Sequence, residues 1–389
     1  MGKKWDIIDI TILCLTFYEP PIFQHEIFLA YKYITILGLF IKYCKEIRDI
    51  WRIILPAIMY GLVALISTVT NAMSMNTIVA SFIYGMQIVT IFLVSDRVLK
   101  RQGVYVFVNW LIRIFGCLAV FSDILMIFIN YDFSNPSEEY LIGNKFVIAY
   151  IHCFWTALIF YKYKMLDVPL LKNGKINCKK LRYASGGIVA AVISFFTCMK
   201  VTTSTGMIAV VVLMLLLVMP IRIQKILSSN YALIATAGIM NVLNFGTAQL
   251  MMNAKVQYFI QNVLGKSSTL SGRSQIWAII FGLISKKALL GYGYYNGMIE
   301  KYLGYGNPQN GVLKILLDTG IIGLVLYVVL LFITLRQLND TNSEKKFPMV
   351  AFLYAMLVAS LVEINLTHMI VFMALAIITF GCERKEINS

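Results

Sequence analysis

Charge is what this sequence has least of. Only 14% of its 389 residues are Asp, Glu, Lys or Arg, against about 25% in an ordinary soluble domain. Hydrophobic residues make up 59%, and the mean hydropathy is +0.76. Polar groups this scarce cannot cover a water-facing surface, so a soluble enzyme and a disordered chain are both excluded. Acidic residues are the scarcer sign, 19 against 34 basic ones, for a net charge of +15. In a soluble protein that excess would point to nucleic acid. In a membrane protein it marks cytoplasmic loops, and no nucleic-acid partner is expected. Cysteine is present but unpaired in pattern: none of the seven lies between residues 250 and 310, and no Cys-x-x-C occurs. Disulfides and a cysteine metal site are therefore not expected. The apolar run after Lys3 and Lys4 ends in Glu19-Pro20-Pro21 with no small-residue cleavage site, and reads as an uncleaved span. Internal repeats of the kind found in many transporters are missing.

Apolar length is what remains. Spans are expected at 6–19, 27–41, 53–70, 78–95, 103–129, 145–161, 183–199, 206–220, 231–249, 311–335, 349–363 and 366–381, each an apolar run approaching the roughly 20 residues a spanning helix needs. With the N-terminus inside, 23 of the 34 basic residues fall on cytoplasmic connections and 9 outside, seven of these in or beside one long loop. Long translocated segments escape the charge rule, so the asymmetry sets the orientation. The expected fold is an all-α polytopic membrane protein of about 12 transmembrane helices, with both termini cytoplasmic and one large helical extracytoplasmic loop. Its parts are the first nine helices (1–249), the loop (250–310), and the last three helices with a short tail (311–389). The basic cluster between Lys172 and Arg182 suits orientation and anionic membrane lipid.

The long loop is not low-complexity, and loops of that length are usually functional or disordered. Met251–Leu264 is a candidate helix. Arg273–Ile284 is another: Ile276, Trp277, Ile279, Ile280, Leu283 and Ile284 recur at helical spacing after a Ser271-Gly272 start. Its apolar stripe fits a re-entrant or interfacial helix resting on the bundle. Next comes Gly291-Tyr292-Gly293, whose glycines allow a tight turn or close backbone approach. Tyr292, Tyr294, Tyr295 and Tyr302 suit either sugar stacking or an interfacial aromatic belt, and both readings stand at this point. Asn307-Pro308-Gln309-Asn310 is turn chemistry opening the tenth span, in which Gly320 and Gly323 permit close packing. Asp318 lies about two turns into that span and Arg113 near the middle of the fifth. Each needs a partner or water: Arg113 is expected to face the bundle interior, paired with Asp318, Glu363 or a lipid phosphate, or to contact substrate.

Ser271-Gly272-Arg273 followed by Ile276-Trp277, then Leu290-Gly291-Tyr292-Gly293, then a polar-Asn pair opening a helix into Gly-Ile-Ile-Gly, resembles the O-antigen ligase and polymerase superfamily. The layout is most similar to the Wzy-type polymerases of capsular and exopolysaccharide synthesis, in the bacterial plasma (inner) membrane. The resemblance implies metal-independent, cofactor-free, inverting glycosyl transfer at the outer face. A glycan on undecaprenyl diphosphate is the donor and a second lipid-linked repeat unit the acceptor. A flippase and a chain-length regulator are implied partners. An O-antigen-type ligase and a lipid-linked oligosaccharide flippase are the alternatives. Arg273 sits on the family's loop arginine, and a guanidinium suits a diphosphate leaving group. Gln309-Asn310 stands where the family commonly has His-Asn; Gln309 can orient an acceptor but cannot be a base. Thr203-Ser204-Thr205-Gly206 stands where the family has Ser-Arg, which leaves Lys200 as a replacement cation. Arg273 and Gln309 are the expected catalytic residues, and Asn310, Tyr292, Lys200 and Arg113 the expected substrate contacts. Stand-in bases are sought among His25, His368, Glu300, Glu138, Glu139, Asp132 and Glu363.

Overall fold

The computed structural model describes residues 2–21, 24–129, 131–133, 138–166, 169, 171–172, 175–251, 269–303, 307–338 and 343–381. The side chains of 2–4, 171–172, 175, 247–251, 269–275 and 303 are outside that description. The structure is helical: α1 (Gly2–Leu15), α2 (His25–Tyr43), α3 (Ile47–Thr70), α4 (Met75–Gln102), α5 (Val104–Phe128), α6 (Lys145–Met165), α7 (Cys178–Lys200) and α8 (Ser204–Val218). After them come α9 (Ile221–Leu227), α10 (Asn230–Met251), α11 (Thr269–Lys286), α12 (Met298–Leu303), α13 (Gly311–Arg336), α14 (Ser343–Ser360) and α15 (Met369–Phe380). The strands among the described residues form two short hairpins, Glu139–Tyr140 with Gly143–Asn144 and Leu171–Lys172 with Lys175–Ile176.

Polar residues at the helix starts define many of these boundaries. Asn144 accepts from the Phe146 and Val147 amides (3.1 and 3.2 Å), Asn177 from Lys180 (3.1 Å), and Ser74 from Thr77 (3.3 Å). Each satisfies an amide that has no partner within its helix. Gly103, at φ +77°, separates α4 from α5.

Every expected span contains a helix. Among the described residues, length and composition nevertheless qualify six as membrane-crossing, with His25–Thr70 taken as one, or seven if the bent pair Ile221–Leu227 and Asn230–Gly246 is one span, against the twelve expected. The difference lies in short helices such as α15, whose 12 residues reach about 18 Å of a core about 30 Å thick. α15 is buried at every position from Met369 to Thr379, as an all-apolar helix should be at the centre of a bundle. Phe92 packs edge-on to its Phe380 (6.3 Å), and Phe154 and Phe352 are buried nearby with their rings 5.1 Å apart. α5, α7 and α8 turn Ile124, Val192, Phe196 and Leu215 outward, as lipid-facing helices do.

On the face carrying the N-terminus, the scarce carboxylates are paired. Asp9 meets Lys42 (2.5 Å) and the Tyr43 hydroxyl, Asp6 meets Arg101 (3.4 Å) and Gln102 (3.2 Å), and Glu46 meets Arg97 (2.9 Å). These pairs tie α1, α2 and α4 together, so the basic residues there clamp helix ends.

Candidate functional site

α13 is not continuous. Gly320 adopts φ +65° and ψ −166°, which splits the helix after Thr319. The amide and carbonyl groups freed by the break find partners in residues 288–293. Tyr292 and Gly293 donate to the carbonyls of Leu317 (2.6 Å) and Asp318 (3.0 Å), while Ile321 and Ile322 donate to those of Ala288 (2.8 Å) and Leu289 (3.3 Å). The two segments lie so close that a side chain on Gly320 would collide with Leu289, and one on Gly293 would come within 2.7 Å of the Thr68 Cα. The glycines at 291 and 293, at φ +69° and +92°, thus serve a close backbone approach.

The expected helix at Arg273–Ile284 forms within α11. Its stripe packs inward: Ile276, Trp277, Ile280 and Leu283 are buried against Tyr292, Ile299, Leu313 and Leu317. Trp277 donates to the Pro308 carbonyl (3.2 Å), joining this helix to the turn before α13. The Tyr292 hydroxyl donates to the Leu283 carbonyl (2.9 Å), and burial pushes its pKa up, which keeps it a donor. Asn310 is fully buried and caps α13: its Oδ1 accepts from Val312 and Leu313 (both 3.0 Å), and its amide donates to Asn241 (3.1 Å) and the Leu361 carbonyl (3.3 Å). Gln309 holds φ +50° and donates its backbone amide to Asn307 Oδ1 (2.9 Å). A glutamine in the left-handed region is strained, and such strain concentrates at functional sites. Trp277, Tyr292, Gln309 and Asn310 are thus assembled around one end of α13.

Beside this assembly is a cavity of about 270 Å³. Tyr294, Tyr295, Lys314, Asp318 and Thr319 line it from the clamp, Lys32 from α2, Tyr60 from α3, Tyr84 and Gln87 from α4, and His368 from the start of α15. Tyr294 stacks on Tyr84 (4.8 Å) and packs edge-on to Tyr295 (4.4 Å), with Tyr60 6.4 Å from Tyr84. Lys314 holds Asp318 through both oxygens (2.9 and 2.8 Å), and Asn296 donates to Asp318 Oδ1 (3.0 Å). Lys32 is half-buried and forms no ion pair among the described residues. His368 caps α15, its Nδ1 accepting from the Ile370 amide (3.4 Å). Gln87 donates to the hydroxyl and carbonyl oxygens of Thr16 (2.9 and 3.3 Å), which fixes its amide orientation and leaves Oε1 buried without a partner. Cations, an open acceptor and aromatic walls in one pocket suit a ligand that is both phosphorylated and hydroxyl-rich.

The remaining expected residues lie elsewhere. The backbone of Arg273 lies in α11, one turn before Trp277, and its side chain is outside the described residues. Lys200 is exposed, donates to the Met126 carbonyl (3.3 Å) and lies over Phe133. The pairing expected for Arg113 does not form: it is exposed on α5, over Trp110 at 5.0 Å, and Asp318 pairs with Lys314 instead. Helical phase, which depth along a span does not reveal, turns Arg113 outward. Of the stand-in bases only His368 lines the cavity; His25 is exposed against Glu19, and Glu300, Glu139 and Asp132 are exposed. Sequence reasoning missed Lys32, Lys314, Tyr60, Tyr84 and Gln87 and took Asp318 only as a partner for Arg113. Charges inside spans and the i, i+4 spacing of Lys314 and Asp318 were the available signals.

Residues 189–328 match a family model described as O-Antigen ligase, Wzy_C. A protein of Rickettsia felis named "Putative polysaccharide ligase" is 29% identical over 101 residues, 22% of this chain and 24% of that protein. The chain thus matches about a quarter of the length of that curated relative.

Proposed function

We propose that the chain is a membrane glycosyltransferase of the O-antigen ligase and polymerase superfamily, a reading supported by the family match over residues 189–328, and that it joins lipid-linked oligosaccharide repeat units into a surface polysaccharide. The donor is a glycan on undecaprenyl diphosphate, the acceptor is the terminal sugar of a second repeat unit, and the reaction runs at the outer face of the bacterial inner membrane. The observation that carries this reading is the cavity, where Lys32, Lys314 and His368 meet Tyr60, Tyr84 and Tyr294. Lys32, which forms no ion pair among the described residues, suits a diphosphate, and tyrosine rings suit sugar faces.

Arg273 would stabilise the departing diphosphate from α11. Gln309 would orient the acceptor, with Tyr292 and Asn310 holding the turn that presents it. A flippase supplying repeat units and a chain-length regulator are the proposed partners. Transfer to a different acceptor, as a ligase, is the second reading, favoured by the names of the matching family and of the Rickettsia protein. Gln309, where the superfamily commonly has histidine, favours polymerisation.

Purified protein in vesicles with an undecaprenyl-diphosphate-linked repeat unit separates the readings. A ladder of products is the expected result. Transfer only to an added non-repeat acceptor would establish a ligase, and movement across the bilayer without new bonds would refute glycosyl transfer.

A further inference from the structure

The proposed transfer needs a base for the acceptor hydroxyl, and Gln309 cannot be one. Resting on that functional reading, we infer that Asp318 is the general base and that Lys314 holds it in reserve until an anionic donor enters the cavity.

Asp318 is the one carboxylate lining the cavity among the described residues. The break at Gly320 fixes its place: the carbonyl of Asp318 is bonded to Gly293, and its side chain is bonded to Asn296, three residues further on. The carboxylate is therefore held from two segments, next to Tyr294 and Tyr295. His368, the other basic group in the lining, is less suited. Its Nδ1 already accepts from Ile370, so the neutral ring carries its proton on Nε2 and is a donor there. Asp318 Oδ1 accepts from both Asn296 and Lys314, whereas Oδ2 accepts only from Lys314 (2.8 Å) among the described residues. Lys314 also lines the cavity. Drawn toward a diphosphate, its ammonium would leave Oδ2 open.

The step then balances. The acceptor hydroxyl gives its proton to Asp318 Oδ2 as its oxygen bonds to the donor's anomeric carbon. The bond from that carbon to the phosphate oxygen breaks, and its electron pair leaves on undecaprenyl diphosphate, beside Lys314 and Lys32. Gln87 Oε1, buried and unpartnered, accepts from another hydroxyl of the bound sugar.

The test uses the full-length protein in nanodiscs with a lipid-linked repeat unit, and compares wild type with Asp318→Asn, Asp318→Glu and the double variant Asp318→Asn, Lys314→Gln. Removing a general base costs about 10²–10⁴-fold. Asp318→Asn should fall at least about 10²-fold in elongation while binding undecaprenyl diphosphate within about threefold of wild type. Asp318→Glu should retain part of the activity. Azide attacks without losing a proton, so adding it to Asp318→Asn should restore donor consumption as a glycosyl azide. The double variant removes the unpaired ammonium together with one phosphate contact, so its elongation should fall at least as far, while azide still restores formation of the glycosyl azide.

Elongation by Asp318→Asn at near wild-type rate would overturn the assignment. So would loss of undecaprenyl diphosphate binding without azide rescue in both asparagine variants, which would make the residue structural. A wild type that forms no glycosidic bond would instead refute the functional reading on which the assignment rests.

Discussion

Gln309 and Arg273 carry the residue-scale predictions, because they differ in what each can do. Gln309 holds a strained φ of +50° at the entrance to α13 and can position but not deprotonate. Losing one positioning hydrogen bond costs about 1–1.5 kcal/mol, which is about tenfold in rate. Gln309→Ala should therefore shorten chains and lower the rate about tenfold without abolishing polymerisation, and Gln309→His should be tolerated. Product length on a gel at matched protein level is the readout; wild-type behaviour of Gln309→Ala would place the acceptor elsewhere. Arg273→Lys keeps the charge but loses the paired guanidinium contact to phosphate. Elongation should drop strongly while membrane insertion is unchanged, and full activity would remove Arg273 from the reaction. The resemblance singled out Arg273 and Gln309 in advance. The cavity's own polar set was not legible, because Lys32, Gln87 and Asp318 sit on three helices and only tertiary packing unites them.

Among elements, α11 and α13 show where sequence patterns succeed and where they stop. The α11 stripe was readable, since its apolar residues recur at helical spacing and all but Ile279 and Ile284 of the expected set are buried. The break in α13 was not. Gly320-Ile321-Ile322-Gly323 lies in an apolar run without proline, which by composition is a continuous span. The partners that make the break possible, residues 288–293, come from an earlier segment and supply the missing hydrogen bonds. Arg113 failed for a related reason: depth along α5 was readable, but the phase that exposes it over Trp110 depends on the packing of α5. Gly320→Ala should test the clamp. A residue with a Cβ at φ +65° costs about 1–3 kcal/mol, and here it would also press on Leu289. The variant should melt earlier in detergent and lose activity, as followed by size-exclusion chromatography after heating. An unchanged melting temperature would mean that the break is not fixed by this glycine.

At the scale of the whole molecule, the proposed orientation of the helical bundle rests on the charge asymmetry. α1 ends at Leu15 and α15 begins at Met369 beside the cavity, whose lining includes Thr16 and His368. The opposite face holds the Asp6, Asp9 and Glu46 pairs and Lys225. In a cysteine-free background, Lys301→Cys should react with an impermeant maleimide from outside and Lys225→Cys only after permeabilisation. Both side chains are exposed enough to react. The reverse pattern would invert the orientation and put the cavity in the cytoplasm, away from exported repeat units.

The cavity walled by Tyr60, Tyr84 and Tyr294 is the proposed place where the lipid-linked diphosphate reacts. A cryo-EM map of the protein in nanodiscs with undecaprenyl diphosphate tests it most directly. Phosphate density is expected within hydrogen-bond reach of Lys32 and Lys314, with the Lys314–Asp318 contact opened. Density on the Arg113 or Lys200 surface, with the cavity empty and that contact intact, would contradict it.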